Sequence, residues 1–253
     1  VSSFDTCSGF EHSQERPVRL GLLLCGDVHT ALQPMFDNYA GCLIDRLQLR
    51  NAHIEVRLWH AWKGELPDKV TDADAYLVGG SPASVFDRER WIDQLGSFIR
   101  QAHSARRRLV GICFGHQMIH HALGGRVERA DAGWGLGIYP INLSRQIPGL
   151  SSKNSVALYA MHQDQVITPA EGFELLGGSE FCPHYMMSHA DRVLTIQGHP
   201  EFTHNFFAEF LKLAESRFDE KSVARARLGM LGADDGEAVC QMLNGFVLGR
   251  SVL

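Results

Sequence analysis

The chain has 253 residues, 45% of them hydrophobic and 21% charged, with 25 glycines. This composition excludes disorder, collagen and coiled coil as whole-chain descriptions and allows one large domain whose core needs no staples. With 24 Lys and Arg against 29 Asp and Glu the formal charge is -5, so a nucleic-acid partner, which needs a concentrated basic face, is not expected.

Residues 1–17 are polar, carry Asp5, Glu11 and Glu15, and lack the apolar run of a secretory signal. A first apolar strand follows at Val18–Cys25, ending in Gly26-Asp27, then a helix around Tyr39–Leu49 and strands at Ile54–Trp59 and Ala75–Val78, the last closing in Gly79-Gly80. A helix over Glu89–Ser104 leads through the solvated basic run Arg106-Arg107-Arg108 into the strand Leu109–Cys113. The next helix, Gly115–Leu123, is stopped by Gly124-Gly125. Strands are expected at Gly135–Leu143, Val156–Met161, Phe173–Leu176 and Val193–Ile196. Helices are expected at Thr203–Ser216, Glu220–Leu231 and, after an Asp cap, Asp235–Val247.

Short apolar runs alternating with helical periods predict an α/β fold of three layers, α/β/α, with a mostly parallel sheet covered on both faces. No linker or repeat divides the chain, so residues 1–253 read as a single domain with a helical extension over about 218–253. No apolar stretch reaches the ~18 residues a membrane-spanning helix requires, and no membrane partner is expected. The cysteines at 7, 25, 42, 113, 182 and 240 form no C-x-x-C pair, which points to reduced thiols and a cytoplasmic setting.

The sharpest feature is Leu109-Val110-Gly111-Ile112-Cys113-Phe114-Gly115-His116-Gln117, a buried strand passing through G-x-C-x-G into a helix. This is the thiol form of a nucleophile elbow: the glycines permit a sharp turn, and the sulfur sits at a helix N-terminus whose partial positive charge favours thiolate. The second feature is Gln197-Gly198-His199-Pro200-Glu201-Phe202, directly after an apolar strand. Pro200 keeps His199 extended, and in extended chain residues i and i+2 share a side. Glu201 can therefore hold the His199 imidazole, which supplies a base and its orienting acid for the thiol.

Gly111–Gln117 together with Gly198–Glu201 resembles the class I glutamine amidotransferase family, with Cys113 matching its nucleophile, His199 its base and Glu201 its third member. The resemblance spans roughly residues 18–210 and is similar in tone to stand-alone members, plant γ-glutamyl peptidases among them, through Gly111–Gln117, Gly124-Gly125 and Gly133-Trp134. It is also similar to the glutaminase part of GMP synthetase. It implies a flavodoxin-like fold, no cofactor, no metal, and cleavage of the γ-amide of glutamine through a γ-glutamyl thioester on Cys113. By the same resemblance Tyr76–Val85 matches the oxyanion loop, so the oxyanion would meet the N–H of Phe114 and that of Gly80 or Ser81. Gln117 would bind the glutamyl group, Asp164 its α-amino group, and Met161-His162-Gln163-Asp164 stands where relatives carry Ser-His-x-Asp.

Two departures stand out. The loop reads Gly79-Gly80-Ser81-Pro82 where the family has Gly-Gly-Pro, and Met161 replaces the family serine, which leaves a γ-glutamyl peptidase as the alternative enzyme. Ammonia would be released or passed to a separate synthase subunit. A further alternative is a non-catalytic thiol redox sensor or stress protein of the same superfamily, which would not need His199 and Glu201.

Other patterns carry less. His116 and His120 lie at i, i+4, but Gln117 replaces the glutamate of H-E-x-x-H. Gly133-Trp134-Gly135-Leu136-Gly137 lacks dinucleotide spacing, and no phosphate loop occurs. Phe202, Phe206, Phe207 and Phe210 recur at helical spacing and are expected to fill core or interface, not a ligand site.

Overall fold

The structure, a computed structural model, describes residues 16–150 and 154–251. Residues 1–15 of the stretch read above for a leader, Cys7 among them, lie outside those residues. In chain order the elements are β1 (Val18–Leu24), the single turn α1 (Gln33–Phe36), α2 (Tyr39–Arg46), β2 (Ile54–His60), β3 (Ala75–Val78), α3 (Arg90–Ser104), β4 (Arg108–Ile112) and α4 (Phe114–Ala122). There follow β5 (Arg126–Arg129), β6 (Gly135–Leu143), β7 (Ser155–His162), β8 (Asp164–Thr168), β9 (Glu174–Gly178), β10 (Met186–His189), β11 (Val193–Ile196), α5 (His204–Ala214), α6 (Glu220–Gly229) and α7 (Gly236–Val247).

Along β1 the side chains of Leu20, Leu22 and Leu24 join one buried cluster while Leu23 joins another, because successive residues of a strand face opposite sides. The same division runs through β3, where Ala75 and Leu77 face one way and Tyr76 and Val78 the other, and through β11, where Val193 opposes Leu194 and Ile196. Helices α3 and α4 fill the Leu23 side; α2, α5, α6 and α7 fill the Leu20 side. This is the α/β/α layering expected from the alternating pattern.

The main sheet runs in the order β2-β1-β3-β4-β11-β10-β9-β6-β7. Its first five strands are parallel, and the remaining four continue the sheet antiparallel. Strands β5 and β8 pair apart from it. Of these, β5, β8 and β10 were not expected from the sequence. β5 and β10 are only four residues long, and β5 is exposed at three of its positions, so neither shows a decisive period.

Helix α2 starts where Asn38 Oδ1 accepts the Gly41 N–H at 2.8 Å, and α5 where Thr203 Oγ1 accepts that of Phe206 at 3.1 Å. Asp235 does not cap α7 in this way. Its carboxylate instead accepts the Ala157 N–H of β7 at 2.8 Å, and its own N–H returns to the Ala157 carbonyl at 2.8 Å. That exchange ties the carboxyl-terminal helix to the antiparallel half. Val239, Cys240, Leu243 and Phe246 of α7 are buried in the same core as β1 and β4.

Candidate active site

Strand β4 ends and α4 begins at Cys113, whose φ of 53° and ψ of -105° lie in a region that non-glycine residues seldom adopt. The strain is imposed by close packing on either side of the turn. A Cβ at Gly115 would stand 2.0 Å from the Val78 carbonyl oxygen, and one at Gly111 would stand 2.6 Å from the Gly115 carbonyl oxygen. Glycine at both flanks is thus what lets α4 fold back onto β3 and β4 and project the sulfur past the strand ends. The Cys113 N–H donates to the Ile196 carbonyl at 2.8 Å, and Gln197 Nε2 donates to the Cys113 sulfur at 3.7 Å.

Because β4 and β11 are neighbours, the segment leaving β11 arrives beside Cys113. The His199 N–H donates to the Tyr159 carbonyl at 2.8 Å, an antiparallel bridge to β7 that holds the residue extended. Gly198 cannot carry a side chain here, since its Cβ would lie 1.9 Å from the Tyr185 hydroxyl. Across the proline turn, His199 Nδ1 and Glu201 Oε1 are 2.7 Å apart, with both residues buried. The same oxygen accepts the Tyr39 hydroxyl at 2.7 Å, and that hydroxyl in turn accepts the Gly80 N–H at 3.2 Å. One chain of hydrogen bonds therefore joins the loop after β3, the first residue of α2, Glu201 and His199.

Burial would lower the basicity of His199, yet the negative charges of Cys113 and Glu201 and its hydrogen bonds raise it to about 10. Its Nε2 has no hydrogen-bond partner among the described residues, so Glu201, on Nδ1, makes the ring's one side-chain hydrogen bond in that set. His162, at the end of β7, moves the opposite way, to about 3, through burial and then the charge on His199.

Gln117 lies one turn into α4, where its Nε2 donates to the Asp164 carbonyl at 2.7 Å and to Gln197 Oε1 at 3.2 Å. Asp164 opens β8 and is neither a turn residue nor a helix cap. Its Oδ2 accepts the Ser84 hydroxyl, while Oδ1 stands 3.6 Å from Arg129 Nε and has no hydrogen-bond partner among the described residues. The structure gathers Cys113, His199, Gly80, Ser81, Gln117, Met161, His162 and Asp164 around one cleft of about 380 Å³. Glu201 sits behind His199, and Phe114, buried, contributes the first N–H of α4, which has no partner within a helix.

Tyr39, Gln197, Ser84 and Arg129 also belong to this neighbourhood and had no signal of their own in the sequence. The four phenylalanines divide. Phe207 is core, packed on Tyr159 at 4.8 Å, but Phe202, Phe206 and Phe210 line the cleft. The expectation of a core role holds, since Phe202, Phe206 and Phe207 are buried in one core and Phe210 packs against it; what the period did not show is that three of them also border the cleft. Among the described residues no group of three or more His, Cys, Asp or Glu is placed to hold a metal ion, and no helix is long and apolar enough to cross a membrane.

A layered α/β fold with a cysteine on a strained strand-to-helix turn, facing a histidine held by a buried glutamate, defines the class of thiol-elbow proteins. Within that class the chain belongs to the family described as Glutamine amidotransferase class-I, whose profile matches residues 34–213; this is a family of amide hydrolases. The chain is 31% identical over 180 residues to γ-glutamyl peptidase 3 of Arabidopsis thaliana, covering 65% of this chain and 72% of that one. It is 30% identical over 160 residues to one subunit of the glutamine-hydrolysing GMP synthase of Sulfolobus acidocaldarius, covering 58% and 82%. Its fold is similar to that of a glutamine amidotransferase from Thermotoga maritima, with a TM-score of 0.69 at 16% identity over 93% of this chain and 96% of the other.

Proposed function

We propose that the protein hydrolyses the γ-amide bond of glutamine or of a larger γ-glutamyl amide through a thioester on Cys113, using a Cys113–His199–Glu201 triad. The observation that carries this reading is the 2.7 Å pairing of His199 with buried Glu201 beside a cysteine at the helix N-terminus. With the proton held on His199, the sulfur of Cys113 attacks the amide carbon. The oxyanion is met by the N–H of Phe114 and that of Ser81, because the Gly80 N–H is already given to Tyr39. Each such donor is worth about 2.7–4 kcal/mol in comparable sites.

His199 Nε2 then protonates the departing nitrogen as the C–N bond breaks. Next it takes a proton from water, whose oxygen attacks the thioester carbon; the C–S bond breaks and glutamate is released. The partnerless Oδ1 of Asp164 is suited to the substrate's α-amino group, and Arg129 beside it to the α-carboxylate. Gln117 and neutral His162 shape the walls, and Met161 offers only backbone polarity.

Mass spectrometry of the protein quenched during turnover is expected to show a γ-glutamyl adduct on Cys113. An adduct elsewhere, or turnover undiminished in Cys113→Ala, overturns the mechanism. The similarity to part of a synthase supports a second reading, in which ammonia passes to a separate synthase subunit; stimulation of glutamine turnover by a partner protein is its test. The described cysteines are free thiols, which supports a cytoplasmic setting.

A further inference from the structure

We propose that the protein has a second binding site, at the amino ends of its parallel strands, for the linked phosphates of an oligophosphate or nucleoside triphosphate. A cavity of about 480 Å³ lies there, against residues that open four neighbouring strands in the order β1-β3-β4-β11. Val18 begins β1, Asp74 precedes β3, Arg108 begins β4 and Arg192 precedes β11. The Leu109 N–H donates to the Arg192 carbonyl at 2.8 Å, which holds the starts of β4 and β11 together. Cys113 follows the opposite end of β4, and among the described residues this cavity and the cleft beside Cys113 share no lining side chain.

Arg16, Arg106, Arg107, Arg108 and Arg192 line the cavity with two carboxylates, Asp74 and Asp191. That is a local excess of three positive charges in a chain whose formal charge is -5. Asp74 is taken up by Arg16, at 2.7 and 3.0 Å, and by the N–H and guanidinium of Arg19, while Arg107 Nη1 stands 3.9 Å away. Asp191 lies 3.5 Å from Arg192 Nε. The side chains of Arg106 and Arg108 make no hydrogen bond or ion pair with any described residue, and Arg107 Nε is buried without a partner among them. Such a donor is costly to leave unpaired, and phosphoryl oxygens fit the planar fork of arginine. Arg106 adds a separate observation. Its N–H and that of Arg107 donate to the His103 and Ala102 carbonyls, each at 2.9 Å, closing α3 in the left-handed turn that most often carries glycine. Arg106 holds a φ of 57° there, a conformation that glycine takes without strain. The backbone thus favours glycine at a position that instead brings a guanidinium to the cavity. Among the described residues the lining has no aromatic side chain, so the phosphates are recognised and a base is not.

The test is isothermal titration of the full chain with inorganic tripolyphosphate, ATP and GTP at about 0.15 M salt, where weak surface attraction is screened. All three are expected to bind, with Kd values within about threefold of one another. Arg106→Gly removes a guanidinium and relieves the strained φ. It should weaken tripolyphosphate binding at least about fivefold, as loss of a charge-assisted contact does, while the thermal midpoint without ligand stays the same or rises. Arg192→Gln should weaken binding to a similar degree. Arg145→Gln, beyond β6 in the antiparallel half, and Cys113→Ala should bind as the unaltered chain does, which separates this site from amide hydrolysis. No binding of tripolyphosphate, an equal loss in Arg145→Gln or Cys113→Ala, or unchanged binding in Arg106→Gly and Arg192→Gln overturns the proposal. A preference for ATP or GTP over tripolyphosphate beyond about tenfold overturns recognition through phosphates alone.

Discussion

The buried histidine beside Cys113 and the two buried ones of α4, His116 and His120, have opposite acid–base character. His199 is buried and its basicity is raised to about 10, whereas His116, wholly enclosed, is pushed well below the ordinary imidazole value, and His120 to about 3. Burial pulls every one of them down. The difference is in the neighbours. Around His199 stand the negative groups Cys113 and Glu201, while the groups that bear on His116 are other histidines, His120, His162 and His184. Its own ring nitrogens have no hydrogen-bond partner among the described residues. Burial among other histidines thus makes a neutral imidazole, and burial beside Cys113 and Glu201 makes one that keeps its proton.

The comparison is broken most severely by removing one anion outright. Cys113→Ala is expected to lower amide hydrolysis by more than about 10³-fold, as loss of a covalent nucleophile does, with the thermal midpoint little changed because the side chain is small. Retention of a tenth of the activity would contradict it. Glu201→Gln removes the other anion. His199 should then lose its proton at lower pH, shifting the alkaline limb of Cys113 alkylation by iodoacetamide downward, and turnover should fall by about 10²–10⁴-fold. An unshifted alkylation profile would show that Glu201 does not set the basicity of His199.

Tyr39→Phe takes a donor from Glu201 and an acceptor from Gly80. At roughly 1–3 kcal/mol for an unsatisfied buried group, kcat should fall about 10- to 100-fold with KM nearly unchanged. A change confined to KM would place Tyr39 in binding instead. The smallest effect belongs to the neutral histidines. Because the folded basicities of His120 and His162, about 3, lie below the unfolded value of ~6.5, the unfolded chain binds more protons between these limits. Stability is therefore lost as pH falls below about 6.5, by up to ~1.4 kcal/mol per pH unit for each such group. His116 adds to this slope with the same sign, and His116→Met should flatten it in urea titrations at pH 7 and pH 5. Equal slopes would show that His116 is not kept neutral.

The parallel half was legible because most of its strands are short apolar runs, with glycine close behind β1 and β3, and its helices carry one buried stripe, as α3 does with Trp91, Leu95 and Ile99. The Cys113 and His199 segments were legible for a related reason, since each pairs an apolar strand with a turn that only glycine or proline can make. Tyr39 was not. A tyrosine opening an amphipathic helix looks like core, and its use depends on α2 meeting the turn after β11, a contact between residues 162 positions apart. The phenylalanines of α5 had the period of a buried face, yet period tells only that side chains share a side; whether that side meets a sheet or an open cleft is decided by what lies across from it. Ser84 and Arg129 escaped notice because β8, which brings Asp164 to them, shows no decisive pattern.

The adjacency of β4 and β11 has a consequence for how the protein acquires its shape. Everything from β5 to β10 is an excursion between two strands that lie side by side, so closing this gap incurs the loop entropy of a long intervening chain before its contacts repay it. The His199 N–H, moreover, is fixed by Tyr159 of β7, on the far side of that excursion. Helical signal should accordingly return early in refolding, and the reactivity of Cys113 late, once the last strand has found its place between the two halves.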